Sequence, residues 1–442
     1  IENGLKRYCT ADTAENTSGS HSKAGQMSPR MLLTTTIGDE LKLATNFRSK
    51  VIGIALKDRG AILPAGHSAD AAYWFDEHSG NWISSSFYLK DLPQWAKDFN
   101  AQKLPEDYLR RGWETLYPTV SYHQSLPDQS LYEGSFGRDR KTNFPYRFII
   151  DEKVQLSSLK TTPFANTLTL ELAKQAIVGE QLGSDVDTDL LTISLSGTDY
   201  IGHHFGPNSV EIEDAYLRLD KELEAFFIFL DKKLGKDGYL FFLTADHGGA
   251  HNPDFLQERK IPAGYWDAKN LQARMNDHFW KKYRLKSLVS SFLNYQLFFE
   301  EKVLHNSIIE RSVLKKECIE LIKREEGIAY VLDIESTKVE NIPENIRDRI
   351  VQGYHHGRSG ALQIVLKPAW FQLSHDKTGS IHGSWNPYDT HIPLVFMGAG
   401  IKKGTLERQV SITDIAPTIC MLLNIQMPNG ATGKTIVEII KR

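Results

Sequence analysis

A chain of 442 residues, 41% hydrophobic and 24% charged, has the composition of an ordinary globular protein, long enough for one large α/β domain or two smaller ones. Its 52 basic and 55 acidic residues leave a formal charge of −3, so no overall field draws in nucleic acid or an anionic membrane, and any anion must be held by a local site. No stretch approaches the roughly eighteen uninterrupted apolar residues of a membrane span, and the three cysteines, Cys9, Cys318 and Cys420, allow at most one disulfide and no CxxC metal knuckle.

Beyond Met31, Ile37, Leu41 and Ala44 recur at helical spacing behind an acidic start at Asp39 and Glu40, which predicts an amphipathic helix. Lys50 to Leu56 then reads as a buried strand ending in Lys57, Asp58, Arg59 and Gly60. Taken alone this ending suits a polar turn. As a phosphate clamp, Arg59 offers a planar fork of donors and Lys57 a point charge. Two cations at one strand end repel each other unless an anion or acidic neighbours offset them. In an extended segment, alternation aims Asp58 to the side opposite both. Roughly Asp76 to Phe164, rich in aromatics, Pro and Asp, reads as an insertion.

Leu190 to Leu195 is the next predicted strand, inside LTISLSGTDYIGHHFG. Asp199 leaves it and His203 follows four residues later, on the same side if the chain turns helical, where the pair suits one zinc. By itself the pattern better suits an N-cap beside a surface histidine. Val210 to Leu234 reads as a long amphipathic helix and Tyr239 to Leu243 as a strand. In YLFFLTADHGG that strand ends in Asp246 and His247, followed by glycines that let backbone approach closely. A charge buried there needs a partner, and a cation is the natural one.

Roughly Asp254 to Leu373 reads as a second insertion, with a highly charged helical centre around Glu310 to Glu326. In SIHGSWNPYDTHIPLVFMG, His382 sits in a Gly/Pro/Asn loop before a strand at Ile392 to Met397, with His391 nearer to it. A helix over Ile412 to Leu423, opening near Pro417, closes the series. This rhythm predicts one α/β domain over 1–442 with an open, mostly parallel central sheet flanked by helices, and the two insertions as caps or lids. In such sheets the ligand site lies beyond the carboxyl ends of the strands. Asp199, His203, Asp246, His247 and His382 together form the O/N set of divalent zinc, whereas magnesium or calcium calls for mostly oxygen.

The runs LATNFRSKVIGIALKDRGAILPAGH, GTDYIGHHFGPNSVEIEDAYLRLD, FLTADHGG and IHGSWNPYDTHIPLVF, with the AAYWFD and WISSSFYL stretch, resemble the threonine-dependent, phosphate-irrepressible alkaline phosphatases of the PafA type, in the alkaline phosphatase superfamily. The resemblance extends over essentially the whole chain. It implies that Asp199, His203 and His382 hold one zinc, that Asp246 and His247 help hold a second, and that Lys57 and Arg59 grip the transferred phosphoryl group. It also implies a periplasmic or secreted enzyme acting on small phosphate esters, with no nucleic acid and no membrane span among its partners.

That family places further parts earlier in the chain: a strand-end Asp on the second zinc, a Thr that both ligates it and attacks phosphorus, and an Asn on the phosphate. None has a counterpart within residues 1–442, so the expectation is a nucleophile upstream of Ile1, on a unit of ~30 residues or more. On that reading the first zinc site is complete here and the second half built. Thr198, Thr244 and Thr34 to Thr36 carry no mark of a substitute nucleophile; the first two read as β-branched strand formers.

The implied chemistry is two-zinc phosphoryl transfer through a covalent phosphoenzyme, with the metals about 4 Å apart. A dianionic monoester suits the Lys57 and Arg59 clamp better than a diester, which favours phosphomonoesterase over the alternative of a nucleotide pyrophosphatase/phosphodiesterase. An arylsulfatase needs a C-x-P-x-R setting that the chain does not show. The reading from another class is a noncatalytic zinc-binding fragment.

Overall fold

The computed structural model describes residues 6–137, 141–150, 153–336, 342–372 and 377–441. Ile1 and, within the two expected insertions, residues 138–140, 151–152, 337–341 and 373 lie outside them. The chain divides into a larger compact unit, Tyr8–Ala245 with Pro393–Arg442, and a smaller one, Asp246–Ile392 with Ile1–Arg7.

In the larger unit the first helix, Ile37–Ala44, is fixed by a reciprocal cap. The Asp39 N–H donates to Thr36 Oγ1 at 3.1 Å, and the Thr36 N–H donates to Asp39 Oδ2 at 3.0 Å. The strand Val51–Ala55 follows, buried along its whole length. It runs parallel to Ala71–Asp76 on one side and to Leu190–Ser194 on the other. Asn81–Ser85 and Thr17–Ser18 extend the sheet antiparallel, so the five-stranded sheet is mixed and its parallel pairings lie among three neighbouring strands.

Ile52, Ile54, Tyr73 and Trp82 from this sheet share a core with Leu168, Leu172, Ala173 and Ala176 of the helix Phe164–Gly179. The long helix Val210–Leu234 starts where Ser209 Oγ accepts the Ile212 N–H at 3.2 Å. Its fully buried Asp214 accepts from Trp113 Nε1, the Leu116 N–H, Tyr122 Oη and Arg218 Nε, which ties the first insertion to the helix.

The strands Leu240–Thr244 and Leu394–Gly398 pair with each other as a two-stranded antiparallel sheet. Leu394 stands opposite Thr244, so the chain re-enters this unit beside the point where it left, running the other way. The final predicted helix forms as a 3-10 turn, Ile412–Asp414, followed by Ile415–Leu423.

The smaller unit has its own core. A four-stranded antiparallel sheet, in the order Val289–Leu293, Gln296–Phe299, Leu362–Leu366, Ile328–Asp333, packs with the helices Ala268–Tyr283 and Arg311–Ile322. Phe279, Leu297, Leu314, Cys318 and Leu362 are buried there. Cys9, Cys318 and Cys420 are all free thiols. Among the described residues no helix is long and apolar enough to cross a membrane.

Candidate metal and phosphate site

In the larger unit, two parallel strands position Lys57, Asp199 and His203. Ala55 stands opposite Ser194, so Lys57 and Asp199 both leave the sheet at its carboxyl edge a few residues further on. The chain does turn helical after the second strand, as Gly197–Phe205, which stacks His203 one turn above Asp199. His203 Nε2 lies 3.3 Å from Asp199 Oδ1. Two ligand atoms bound tetrahedrally to one zinc at about 2.0–2.1 Å stand ~3.4 Å apart, so this pair already has the spacing of two ligands.

The other Asp199 oxygen, Oδ2, accepts a charge-assisted hydrogen bond from Lys57 Nζ. That ammonium also lies 4.4 Å from the centre of the Tyr200 ring, and Lys160 Nζ lies 5.4 Å from the same centre. Burial, then Glu77, pushes the Tyr200 phenol up to about 12, so the ring is neutral at ordinary pH. The repulsion expected between Lys57 and Arg59 is thus offset on the Lys57 side by a carboxylate and a ring face.

Asp58 departs from its sequence reading. Residues Asp58–Ala65 form a helix and not an extended segment, so strand alternation does not set its direction. An acidic residue in a first helical turn is favoured by the unpaired amides there, which explains the early start. Asp58 accepts from Tyr8 Oη at 2.8 Å and from Thr10 Oγ1 at 2.5 Å, while Arg59 Nη1 donates to Tyr8 Oη at 3.0 Å. Tyr8 therefore bridges the two charges, and its phenol is raised by burial and by Asp58.

The smaller unit carries Asp246, His247 and His382. Asp246 was expected as a buried strand-end charge, yet its side chain is 88% exposed, because the strand has already ended at Thr244 and the chain turns away through Gly248 and Gly249. Desolvation therefore does not demand a cation at this carboxylate. Its spacing to the neighbouring histidine still fits one: Asp246 Oδ2 lies 3.5 Å from His247 Nε2. His247 Nδ1 faces the Gly248 carbonyl at 2.8 Å, so the donating hydrogen sits on Nδ1 and Nε2 keeps its lone pair for a metal.

The His247 and His382 rings stack with centroids 3.4 Å apart and planes 11° from parallel. The two segments that carry them are laced together. Gly248 N–H donates to the Asp389 carbonyl at 2.8 Å, Ala250 N–H to the Ile381 carbonyl at 3.4 Å, and Ser380 Oγ to the Ala250 carbonyl. A Cβ at position 248 would sit 2.0 Å from the Tyr388 carbonyl oxygen, so only glycine fits this approach. Asp389 is buried here, and burial raises its pKa against the lowering effect of the Ser384 contacts and the His247 imidazole.

Three residues of these surroundings were missed at the sequence level: Tyr8, Tyr200 and Asp389. Tyr200 and Asp389 lie inside the motif runs, beside Asp199 and before His391, and that adjacency was the available signal. Tyr8 meets partners about fifty positions away and carried none.

A family model described as type I phosphodiesterase / nucleotide pyrophosphatase matches residues 12–391. Alkaline phosphatase PafA of Elizabethkingia meningoseptica is 45% identical over 443 residues, covering 100% of this chain and 81% of that protein. A protein of Myroides odoratus named calcium-transporting ATPase is 47% identical over 442 residues, covering 99% of this chain and 81% of its own length. The crystal structure of wild type alkaline phosphatase PafA aligns with a TM-score of 0.93 at 44% identity, over 99% of this chain and 84% of that one, and shares its mixed α/β fold.

Proposed function

Because the chain belongs to the type I phosphodiesterase / nucleotide pyrophosphatase family, within the alkaline phosphatase superfamily, we propose that it hydrolyses small phosphate monoesters with two zinc ions and through a covalent phosphoenzyme. The observation that carries this reading is the pairing of Lys57 with Asp199, which puts a cation within one hydrogen bond of a metal-ligand pair at the carboxyl edge of the sheet.

In this reading Asp199, His203 and His382 hold one zinc, and Asp246 and His247 contribute to the second. The attacking hydroxyl belongs to a threonine on a segment outside residues 1–442. Bound zinc supplies positive charge to the attacking and leaving oxygens of an in-line displacement. The chain's own residues do the rest by position. Asp199 divides its two oxygens between the His203 side and Lys57, so the lysine keeps its place beside the ligands. Lys57 and Arg59 balance charge on the phosphoryl oxygens, and Tyr8 orients the Arg59 fork. The Nδ1 bond of His247 to Gly248 fixes the tautomer.

Two cations serve a dianionic monoester better than a monoanionic diester, and this ranks the phosphomonoesterase above the nucleotide pyrophosphatase/phosphodiesterase alternative. The stretches 76–164 and 254–373 are proposed as caps at the mouth of the site, and the enzyme as periplasmic or secreted. The test is a paired assay of the enzyme carrying the upstream threonine, with an aryl phosphate monoester and the matching diester, together with zinc content per chain. A kcat/KM for the monoester well above that for the diester, lost on chelation and restored by zinc, is expected. Higher diester activity, or activity indifferent to chelation, overturns the reading.

A further inference from the structure

We propose that Asp389 is a positioning residue whose buried negative charge holds the His247 and His382 imidazoles in zinc-binding geometry, an inference that rests on the reading of those histidines as ligands. Asp389 is 3% exposed and lies in the one-turn helix Pro387–Thr390, at the end of the loop that carries His382. Its backbone carbonyl accepts the Gly248 N–H at 2.8 Å, next to His247. Its side-chain Oδ2 accepts the Ser384 N–H at 2.6 Å, two residues beyond His382. One residue thus clamps both histidine-bearing segments, and the two rings are stacked between those clamps.

The remaining oxygen, Oδ1, is buried and has no hydrogen-bond partner among the described residues. A brace for a loop needs only the acceptor that Oδ2 already provides, and a second, unsatisfied carboxylate oxygen costs desolvation energy without return. Asparagine would brace equally well with its amide oxygen. What the carboxylate adds is charge, and the use for charge at this place is to offset the positive charge that each of the two neutral imidazoles takes on when it binds its own dication. Outer groups hydrogen-bonded to ligating histidines are typically worth about 10–100-fold in metal affinity, and that scale is taken for the unscreened charge of this buried carboxylate beside the two rings.

The two roles separate in substitution. Asp389→Asn keeps an acceptor for the Ser384 N–H and removes the charge; Asp389→Ala removes both. Each variant, with the wild-type protein, is stripped of metal by chelator, melted to compare apo stability, and titrated with zinc against a competing chromophoric chelator. The expected result is an Asp389→Asn protein that melts with the wild type when metal-free but binds zinc about tenfold to a hundredfold more weakly, with Asp389→Ala weaker still. Asp389→Asn binding zinc like the wild type overturns the inference, whether Asp389→Ala then fails to bind, as a simple brace would, or binds normally. His247→Ala and His382→Ala are titrated alongside. Wild-type zinc affinity in both of them means that the histidines are not ligands, which identifies failure of the underlying reading rather than of the role of Asp389.

Discussion

Replacing Lys57 by alanine separates a phosphate clamp from a structural ion pair, because among the described residues the ammonium meets two partners, Asp199 Oδ2 and the Tyr200 ring. If Lys57 grips the phosphoryl oxygens, the variant loses a charge-assisted hydrogen bond worth about 1.5–3 kcal/mol in the transition state. At about 1.4 kcal/mol per decade, that is a fall of roughly 10- to 150-fold in kcat/KM for an aryl phosphate monoester. The matching diester, with one negative charge fewer on the transferred group, is expected to lose severalfold less. Zinc content should hold, since Asp199 keeps His203 beside it and loses only a cation that competes for its charge. Initial rates on both esters and metal analysis of the same preparation decide the matter. Equal losses on the two substrates, or loss of zinc, would show that Lys57 supports the fold or the ligands, and the monoester preference would lose its physical basis.

Asp214→Ala is expected to destabilise the larger unit by about 3–5 kcal/mol in denaturant unfolding, because it strands the buried donors of Trp113 and Tyr122 and unpairs Arg218. Gly248→Ala drives a Cβ to 2.0 Å from the Tyr388 carbonyl and should lower zinc content per chain, while the spectroscopic signature of the fold persists. Glu133 is pushed up to about 9 from 4.5 by burial, then by Glu211 and Asp128. Between those values the folded chain keeps a proton that the unfolded chain has released, so this group's stabilising contribution is complete below about 4.5 and is lost as pH rises towards 9. Glu133→Gln has no such proton to lose, and its melting temperature should gain on the wild type steadily from pH 5 to pH 9; a constant gap would refute the linkage.

The strand ends were legible because each is a local signal, an apolar run that stops at a charged or glycine-rich step, whereas the helical turn Gly197–Phe205 entered only as the condition for placing His203 beside Asp199. Strand direction was not legible. Leu394–Gly398 has the same apolar pattern whichever way it runs, and its antiparallel pairing follows only from re-entry beside Thr244. Asp58 was misread for a different reason. The alternation argument assumed that the strand continued, whereas an acidic residue ahead of Gly60 and Ala61 also begins a helix well, and the helix prevailed.

The proposed ligands divide along the same physical line. Asp199 with His203, and Asp246 with His247, are pairs whose 3.3 and 3.5 Å spacings come from one helical turn and from adjacent residues, so local backbone alone presets them. Sequence can express such pairs as motifs. His382 and Asp389 are related to His247 across distant stretches of sequence, by amide contacts to Gly248 and Ser384 and by a backbone approach that excludes any side chain at 248. A substitution within a preset pair therefore removes a ligand and leaves its neighbour in place. One at Gly248 or Asp389 instead displaces intact ligands, and it should appear as weaker zinc binding with the full ligand set still present.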